Sequence, residues 1–382
     1  MNVYLDNAAT TPVDPQVVEE VSMYQRDFFG NASSIHYFGK KSKVILEDSR
    51  EYIAEFIGCK PKELFFTSGG TESINTVIKG LYFENAKEKN HIVTTTIEHP
   101  AVIESVSFLE KYFGVEVDLI KPNSNGEISI EDIKERVKEN TILVSLMHSN
   151  NETGIINDIE ELSKCTKEKN IPFLSDTVQS IGKADLKFSK LGVDFITSSA
   201  HKIYGPKGIG FLVANPKFKF TRYSDGGGQE RELRAGTENI PLIAGFRKAI
   251  EIIKLNFDKD LEHYNVMKGY LVEQLHQNFG EDAKINFRSK RNLPNIVNVT
   301  FNSDKYGFPP DMFLILLDMQ GIAVSGGSAC SSGSLKPSKI LTEIGKSEKE
   351  ALSSIRISIG RFNDKNNIDV LIKGLRNVLR LN

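Results

Sequence analysis

Short apolar runs rich in β-branched residues alternate with longer amphipathic stretches through the first two thirds of the chain. The runs predict strands at Glu63–Thr67, His91–Thr96, Val115–Ile120, Ile142–Met147, Pro172–Ser175, Val193–Thr197 and Ile209–Val213. Helical periodicity falls between several of them, at Ser73–Glu84, Val102–Phe113 and Ile159–Lys169. Strands too apolar to have a wet face, separated by helices, predict an α/β domain on a mainly parallel seven-stranded sheet flanked by helices. From Ile240 to Phe279 the pattern is helical, with only Gly245 and Gly269 as weak breaks. A helix or helix pair of that length suits a bridge between domains. Beyond it, strands at Ile296–Phe301, Ile322–Val324 and Ile355–Ile359, and a last helix at Ile368–Leu379, predict a smaller α+β domain. The expected division is 13–256 for the large domain, with 1–12 and 257–382 forming the small C-terminal one.

The length, 382 residues, supports that division, since single cores rarely grow past roughly 250–300 residues. A net charge of −2 gives no reason to expect direct nucleic-acid binding or a membrane surface. No apolar run is long enough for a membrane span. The opening MNVYLDNAATTP has neither a basic nor an apolar region of the signal-peptide kind. The three cysteines, Cys59, Cys165 and Cys330, are odd in number and widely spread, so no disulfide framework is expected. No CxxC pair suggests zinc or another metal. The expected compartment is the reducing cytoplasm, where a cysteine stays a free nucleophile.

Six segments carry candidate chemistry. In FFTSGGTES, Gly69 and Gly70 lead from a strand into a helix at Thr71, where backbone N–H groups can receive a single phosphate. Alone, the segment reads first as a plain strand–helix turn with Thr71 as N-cap. In DFITSSAHKIYGPKGIG, Lys202 follows a buried strand with Ser199 and His201 close by. A lysine desolvated there can lose its proton and form a Schiff base. Lys207 is the rival, set in a turn between glycines that exposes it. Asp176, at the end of a buried strand, points toward the ligand crevice of an open α/β sheet and could keep a pyridine nitrogen protonated, or cap a helix. His99 sits between a strand and a helix, as a ring-stacking or acid–base group or as a turn histidine. Cys330, in VSGGSACSSGSLKPS, has small polar neighbours and should be reachable, whereas Cys59 and Cys165 lie in helical patterns and read as structural. In IRISIG, Ile355, Ile357 and Ile359 face a core, leaving Arg356 on the other side as a carboxylate fork or a solvated residue.

Taken in order, these segments resemble the NifS/IscS-type cysteine desulfurases of the class V aminotransferase group, within fold type I of the pyridoxal phosphate (PLP) enzymes. The matching words are YLDNAATTP, TSGGTES, EHPAV, NNETG, SDTVQSIGK, SSAHKIYGPKGIG, RAGTEN, SGGSACSSGS and IRISIGR, spread over essentially the whole chain. The resemblance implies that Lys202 anchors PLP, Asp176 pairs with its ring nitrogen, Gln179 touches its ring hydroxyl and His99 stacks on the ring. Gly70, Thr71, Ser199 and His201 would hold the phosphate, with Thr237 reaching it from the second subunit of a homodimer. Asn151 and Arg356 would hold the carboxylate of L-cysteine. The freed Lys202 amine would remove the Cα proton, and Cys330 would take the sulfur as a persulfide while alanine leaves, with His99 carrying thiol protons.

The sulfur would pass to a NifU/IscU-type scaffold for iron–sulfur cluster assembly, or to a tRNA-thiolation enzyme. Two departures stand out in Gly30–Lys43, where Ala32 replaces the family's Pro and Lys40 its Arg. The chain also ends without the longer tail that IscS-type members use to dock a scaffold protein. The cysteine loop is closer to NifS-like than to SufS-like members. The competing expectations are a class V aminotransferase or selenocysteine lyase with the same cofactor site, and, least favoured, a non-catalytic sulfur-carrier scaffold.

Overall fold

The computed structural model describes residues 2–86, 88–287, 289, 291–326 and 336–380. The chain opens on β1 (Val3–Tyr4). It then builds a seven-stranded sheet from β2 (Leu64–Thr67), β3 (His91–Thr95), β4 (Glu116–Ile120), β5 (Thr141–Ser145), β6 (Phe173–Asp176), β7 (Phe195–Ser199) and β8 (Gly210–Ala214). The strand order is β2-β8-β7-β6-β5-β3-β4. Strands β3 to β7 pair in parallel, and β8 sits antiparallel between β7 and β2. Every residue of β2, β3, β5, β6, β7 and β8 is buried, while the edge strand β4 is mixed. Burial on both faces is the reason these segments read as unbroken apolar runs.

Helices α1 (Pro15–Asp27), α2 (Tyr37–Ile57), α3 (Gly70–Asn85) and α4 (Pro100–Phe113) follow the early strands and turns. The family-like GNASSIH segment leads directly into α2, whose first turn is capped by His36 Nδ1 accepting from the Gly39 N–H at 3.2 Å. Gly39 has no alternative there: a Cβ would lie 2.3 Å from the Ser34 carbonyl oxygen. Of the two departures from the family pattern, Ala32 packs into the main core and Lys40 is exposed.

A second lobe contains β9 (Ala283–Ile285), β10 (Ile296–Phe301) and, after β11 (Ile322–Ala323), β12 (Ser354–Ser358). These form an antiparallel β12-β10-β9 sheet, and β1 pairs in parallel with β11. The helix Ile240–Phe279 runs unbroken for 40 residues, about 60 Å. Its first half buries Ile243, Phe246, Ile250 and Ile253 in the core under the large sheet. Its second half gives Tyr264, Met267, Leu271 and Leu275 to the core of the second lobe. One half-buried face was expected in IRISIG, but all five residues of β12 are buried, because Arg356 faces the cleft between the lobes rather than solvent. Among the described residues, no helix is long and apolar enough to cross a membrane.

The segment between β8 and the long helix is braced by one buried ion pair. Arg50 on α2 donates two parallel bonds to the Glu230 carboxylate, at 2.7 and 2.9 Å, and a third to the Leu64 carbonyl. The Phe66 N–H completes the set on Glu230 at 2.9 Å. This grip holds Glu230, Arg231 and Glu232 at φ of 45°, 57° and 68°, a left-handed turn that such residues avoid by roughly 1–2 kcal/mol each. Removing one partner strands a buried charge. Glu230→Ala is therefore expected to destabilise the protein by about 3–5 kcal/mol. The paired replacement Arg50→Met with Glu230→Leu should lose less than Glu230→Ala alone, as read from thermal unfolding.

Candidate active site

In an open α/β sheet the ligand crevice lies beyond the carboxyl ends of the parallel strands. Here those ends, with the turns of the second lobe, enclose one cavity of about 560 Å³. The turn after β2 brings Gly70 and Thr71 to it, and the turn after β3 brings Glu98 and His99. Asn151 and Glu152 follow β5, Asp176 and Gln179 come from β6, and Ser199, His201 and Lys202 from β7. Arg356 and Ser325 close it from the second lobe, and Ala8 and Ala9 from the N-terminal segment. Ten of the twelve residues expected from the sequence thus share one cavity. Of the other two, Thr237 is exposed and is not among the lining residues of this chain's own cavity, and Cys330 lies outside the described residues.

Lys202 donates to the carbonyls of Ala8 at 2.8 Å and Ala9 at 2.6 Å. Burial pushes its amine down to about 8, helped by Arg356 and opposed by Asp176 and Asp6. A useful fraction of free base is therefore present near neutral pH. The rival Lys207 is exposed, as expected of a turn between glycines.

One end of the cavity is built for an anion. Gly69, at φ +153°, caps α3, and the Gly70 N–H donates to the Ser199 hydroxyl at 2.8 Å. Ser199 keeps its own proton to donate outward. A Cβ on Gly70 would come within 2.9 Å of Val178 Cγ2, so the cradle needs glycine. Thr71 belongs to the helix and is exposed at its first turn; the cap expected at Thr71 is Gly69 instead. His201, held by Thr10 at 3.1 Å, is driven down to about 4 by burial and by Lys202, so it is neutral.

The other end suits an aromatic ring with a basic nitrogen. Asp176 Oδ1 accepts from the Val178 N–H at 2.9 Å and the Thr197 hydroxyl at 3.3 Å. Among the described residues its Oδ2 has no partner. Gln179 donates to the Ala8 carbonyl at 2.9 Å, leaving its Oε1 buried and unpaired. His99 caps α4 by accepting the Ala101 N–H on Nδ1 at 3.1 Å, which puts the proton of the neutral ring on Nε2. Burial lowers its pKa, against the pull of Asp176 and with a further push from Lys202. A planar cofactor with one phosphate, a ring nitrogen and a ring hydroxyl would satisfy these open groups together.

A carboxylate site completes the cavity. Arg356, almost fully buried, donates Nη2 to Asp6 at 2.7 Å and Nη1 to the Asn151 carbonyl at 2.9 Å, while its Nε has no partner among the described residues. Sequence reasoning missed Asp6 in this role, and it missed Glu98, Glu152 and Lys183. Glu98 is buried with Oε2 unpaired, and burial raises its carboxyl to about 8, keeping it largely protonated beside Asp176. Lys183 is buried against the Lys202 carbonyl at 3.1 Å and is pushed down to about 7 by burial. Only the EHP, NNETG and SIGK words could have flagged them, and none of these announces a buried charge.

The aminotransferase class-V family model matches residues 3–371. Cysteine desulfurase IscS of Dictyoglomus turgidum is 40% identical over 377 residues, which cover 99% of this chain and 94% of that protein. The solved structure of a NifS-like protein superposes with a TM-score of 0.92 at 35% identity, covering 100% of both chains. The structure of SspA in complex with cysteine superposes with a TM-score of 0.80 at 34% identity, over 95% of this chain and 100% of that one. With the cavity geometry, these likenesses show that the chain belongs to the class-V aminotransferase family, in its branch of IscS/NifS-type, PLP-dependent cysteine desulfurases.

Proposed function

We propose that Lys202 anchors PLP and that the sulfur of L-cysteine moves to Cys330 with release of L-alanine. The observation that carries this reading is the convergence on one cavity of a buried lysine of lowered pKa, a phosphate cradle and a buried carboxylate fork. When bound, PLP supplies an electron sink for charge developing at the substrate Cα.

The residues divide the remaining work. Gly70, Thr71, Ser199 and His201 would hold the phosphate, Asp176 would pair with the ring nitrogen, and Gln179 Oε1 would receive the ring hydroxyl. His99 would stack on the ring, with its Nε2–H available to exchange protons with the thiols. Arg356 Nε and Asn151 receive the substrate carboxylate, with Asp6 holding the guanidinium in place. Lys202 Nζ takes the Cα proton. The Cys330 thiolate attacks the substrate sulfur; an S–S bond forms as the Cβ–S bond breaks, the electron pair stays with carbon, and protons complete alanine.

The exposed Thr237, presented at the end of the braced turn, serves the phosphate of a second copy, which makes the enzyme a homodimer. The domain division at 256/257 falls within the long helix, and the N-terminal dozen residues belong to the smaller domain. The sulfur leaves Cys330 for a NifU/IscU-type scaffold or a tRNA-thiolation enzyme in the cytoplasm, where the thiol stays reduced between turnovers.

Two experiments check this reading. In Cys330→Ser, the cofactor absorbance is expected to persist while sulfide release from L-cysteine falls by roughly a hundredfold or more; desulfuration at the original rate contradicts the role of Cys330. Capture of PLP by apoprotein should follow the free base of Lys202. Its rate should rise about tenfold from pH 7 to pH 9 and level off around a midpoint near 8. A rate still climbing steeply above pH 9 would mean an unperturbed lysine.

A further inference from the structure

Cys330 lies five residues after Ser325 and eight before Ser338. Ser325 lines the cavity that holds Lys202, and Ser338 directly precedes Lys339, which lines it too. On the upstream side, Ser325 and Arg356 exchange backbone bonds: the Ser325 N–H donates to the Arg356 carbonyl at 3.2 Å, and the Arg356 N–H donates back at 2.6 Å. That root is bridged to β12 by backbone bonds alone.

The downstream root is held differently. Ser338 is fully buried, and its hydroxyl donates to Glu152 Oε2 at 2.5 Å while accepting the Leu341 N–H at 3.2 Å. Ser338 thereby caps the helix Lys339–Glu343, a helix of five residues too short to be stable alone. Glu152 lies on the opposite wall, in the turn after β5. There its N–H donates to Asn150 Oδ1 at 2.8 Å, and Asn150 reaches on to the Ile97 carbonyl at 2.9 Å, two residues before His99. The Asn298 amide donates to the Glu152 carbonyl at 3.3 Å, joining the same turn to β10. Glu152, Lys339 and Ile340 all line the cavity.

Burying a carboxylate is costly, and an apolar contact would seat so short a helix more cheaply. What an apolar contact lacks is direction. A short charge-assisted bond fixes the position of Ser338 relative to the wall that carries His99 and Asn151.

We propose that Glu152 and Ser338 are positioning residues for sulfur transfer: their buried hydrogen bond pins the downstream root of the Cys330 segment to the cavity wall. The proposal rests on Cys330 being the sulfur acceptor. A fixed downstream anchor raises the effective concentration of the acceptor thiol at the substrate sulfur. With the downstream root released, cofactor and substrate still bind, and the thiol arrives late.

The test uses PLP-loaded enzyme mixed with L-cysteine without reductant. The cofactor absorbance reports substrate binding, and alkylation followed by peptide mass spectrometry reports first-turnover persulfide on Cys330. In Ser338→Ala, the cofactor band and its response to cysteine should match the parent, while persulfide formation slows by about tenfold or more. Glu152→Gln keeps a carbonyl for the Ser338 hydroxyl and should lie close to the parent rate. Glu152→Ala breaks the same bond from the other side and should reproduce Ser338→Ala. Persulfide formation at the parent rate in Ser338→Ala or Glu152→Ala overturns the proposal. Loss of the cofactor band or of the cysteine response in proportion to the slowed transfer also overturns it, since that marks a general structural role. If the parent enzyme makes alanine but no Cys330 persulfide, the acceptor assignment itself has failed, and the proposal falls with it.

Discussion

The structure depends on keeping two cationic side chains, Lys202 and Arg356, together in one cleft largely removed from water. Burial lowers the pKa of Lys202, and the nearby Arg356 charge lowers it further. The N-terminal segment resolves the conflict. Asp6 takes one edge of the Arg356 guanidinium, and the Ala8 and Ala9 carbonyls receive the Lys202 amine. The same few residues tie the lobes together, because Leu5 pairs with Ala323 and Ser358 while Thr11 bonds the His201 carbonyl. The word YLDNAATTP is thus a strap through the site rather than a leading tail. Its carboxylate and carbonyl groups hold the two cations in place, and it is burial with the nearby Arg356, against the pull of Asp6 and Asp176, that brings the lysine down to about 8.

From that constraint the distribution of protons follows. Asp176 has Oδ2 open toward a ring nitrogen, and its buried neighbour Glu98 stays largely protonated. His99 and His201 are kept neutral by burial, one with its proton on Nε2 and the other against Thr10. Lys183, pressed against the Lys202 backbone, also sits near its free-base form. A site assembled this way limits its buried charge before any ligand arrives, and the open atoms of Asp176, Gln179 and Arg356 match groups on the cofactor and the substrate.

Much of this was legible in the chain. The strands were readable because both faces of the sheet are covered, so Ile92, Val144 and Phe173 sit in unbroken apolar runs. Site residues were readable where they follow a strand end, as Asp176 follows β6 and Lys202 follows β7. The helix α2 was obscured by its approach, GNASSIHYFGK, whose glycine and small polar residues look like loop until His36 is seen to cap the first turn. Glu98, Glu152 and Lys183 were not legible, because nothing local marks a charged residue as buried. That is settled by partners far along the chain, such as Ser338 for Glu152 at a separation of 186 residues. The left-handed turn at Glu230 was hidden for the same reason, since Arg50 holds it from 180 residues away.

The central claim is that one cavity removes sulfur from cysteine and leaves it on one thiol. The most direct measurement is to supply L-cysteine carrying labelled sulfur to the PLP-loaded protein, count alanine, and locate the label among Cys59, Cys165 and Cys330. The account predicts one alanine per labelled sulfur in the first turnover, with the label on the Cys330 peptide and nowhere else. Burial holds the Cys59 thiol up at about 12, so it should stay unlabelled. Label on Cys59 or Cys165, or alanine formed with no protein-bound sulfur, would contradict it.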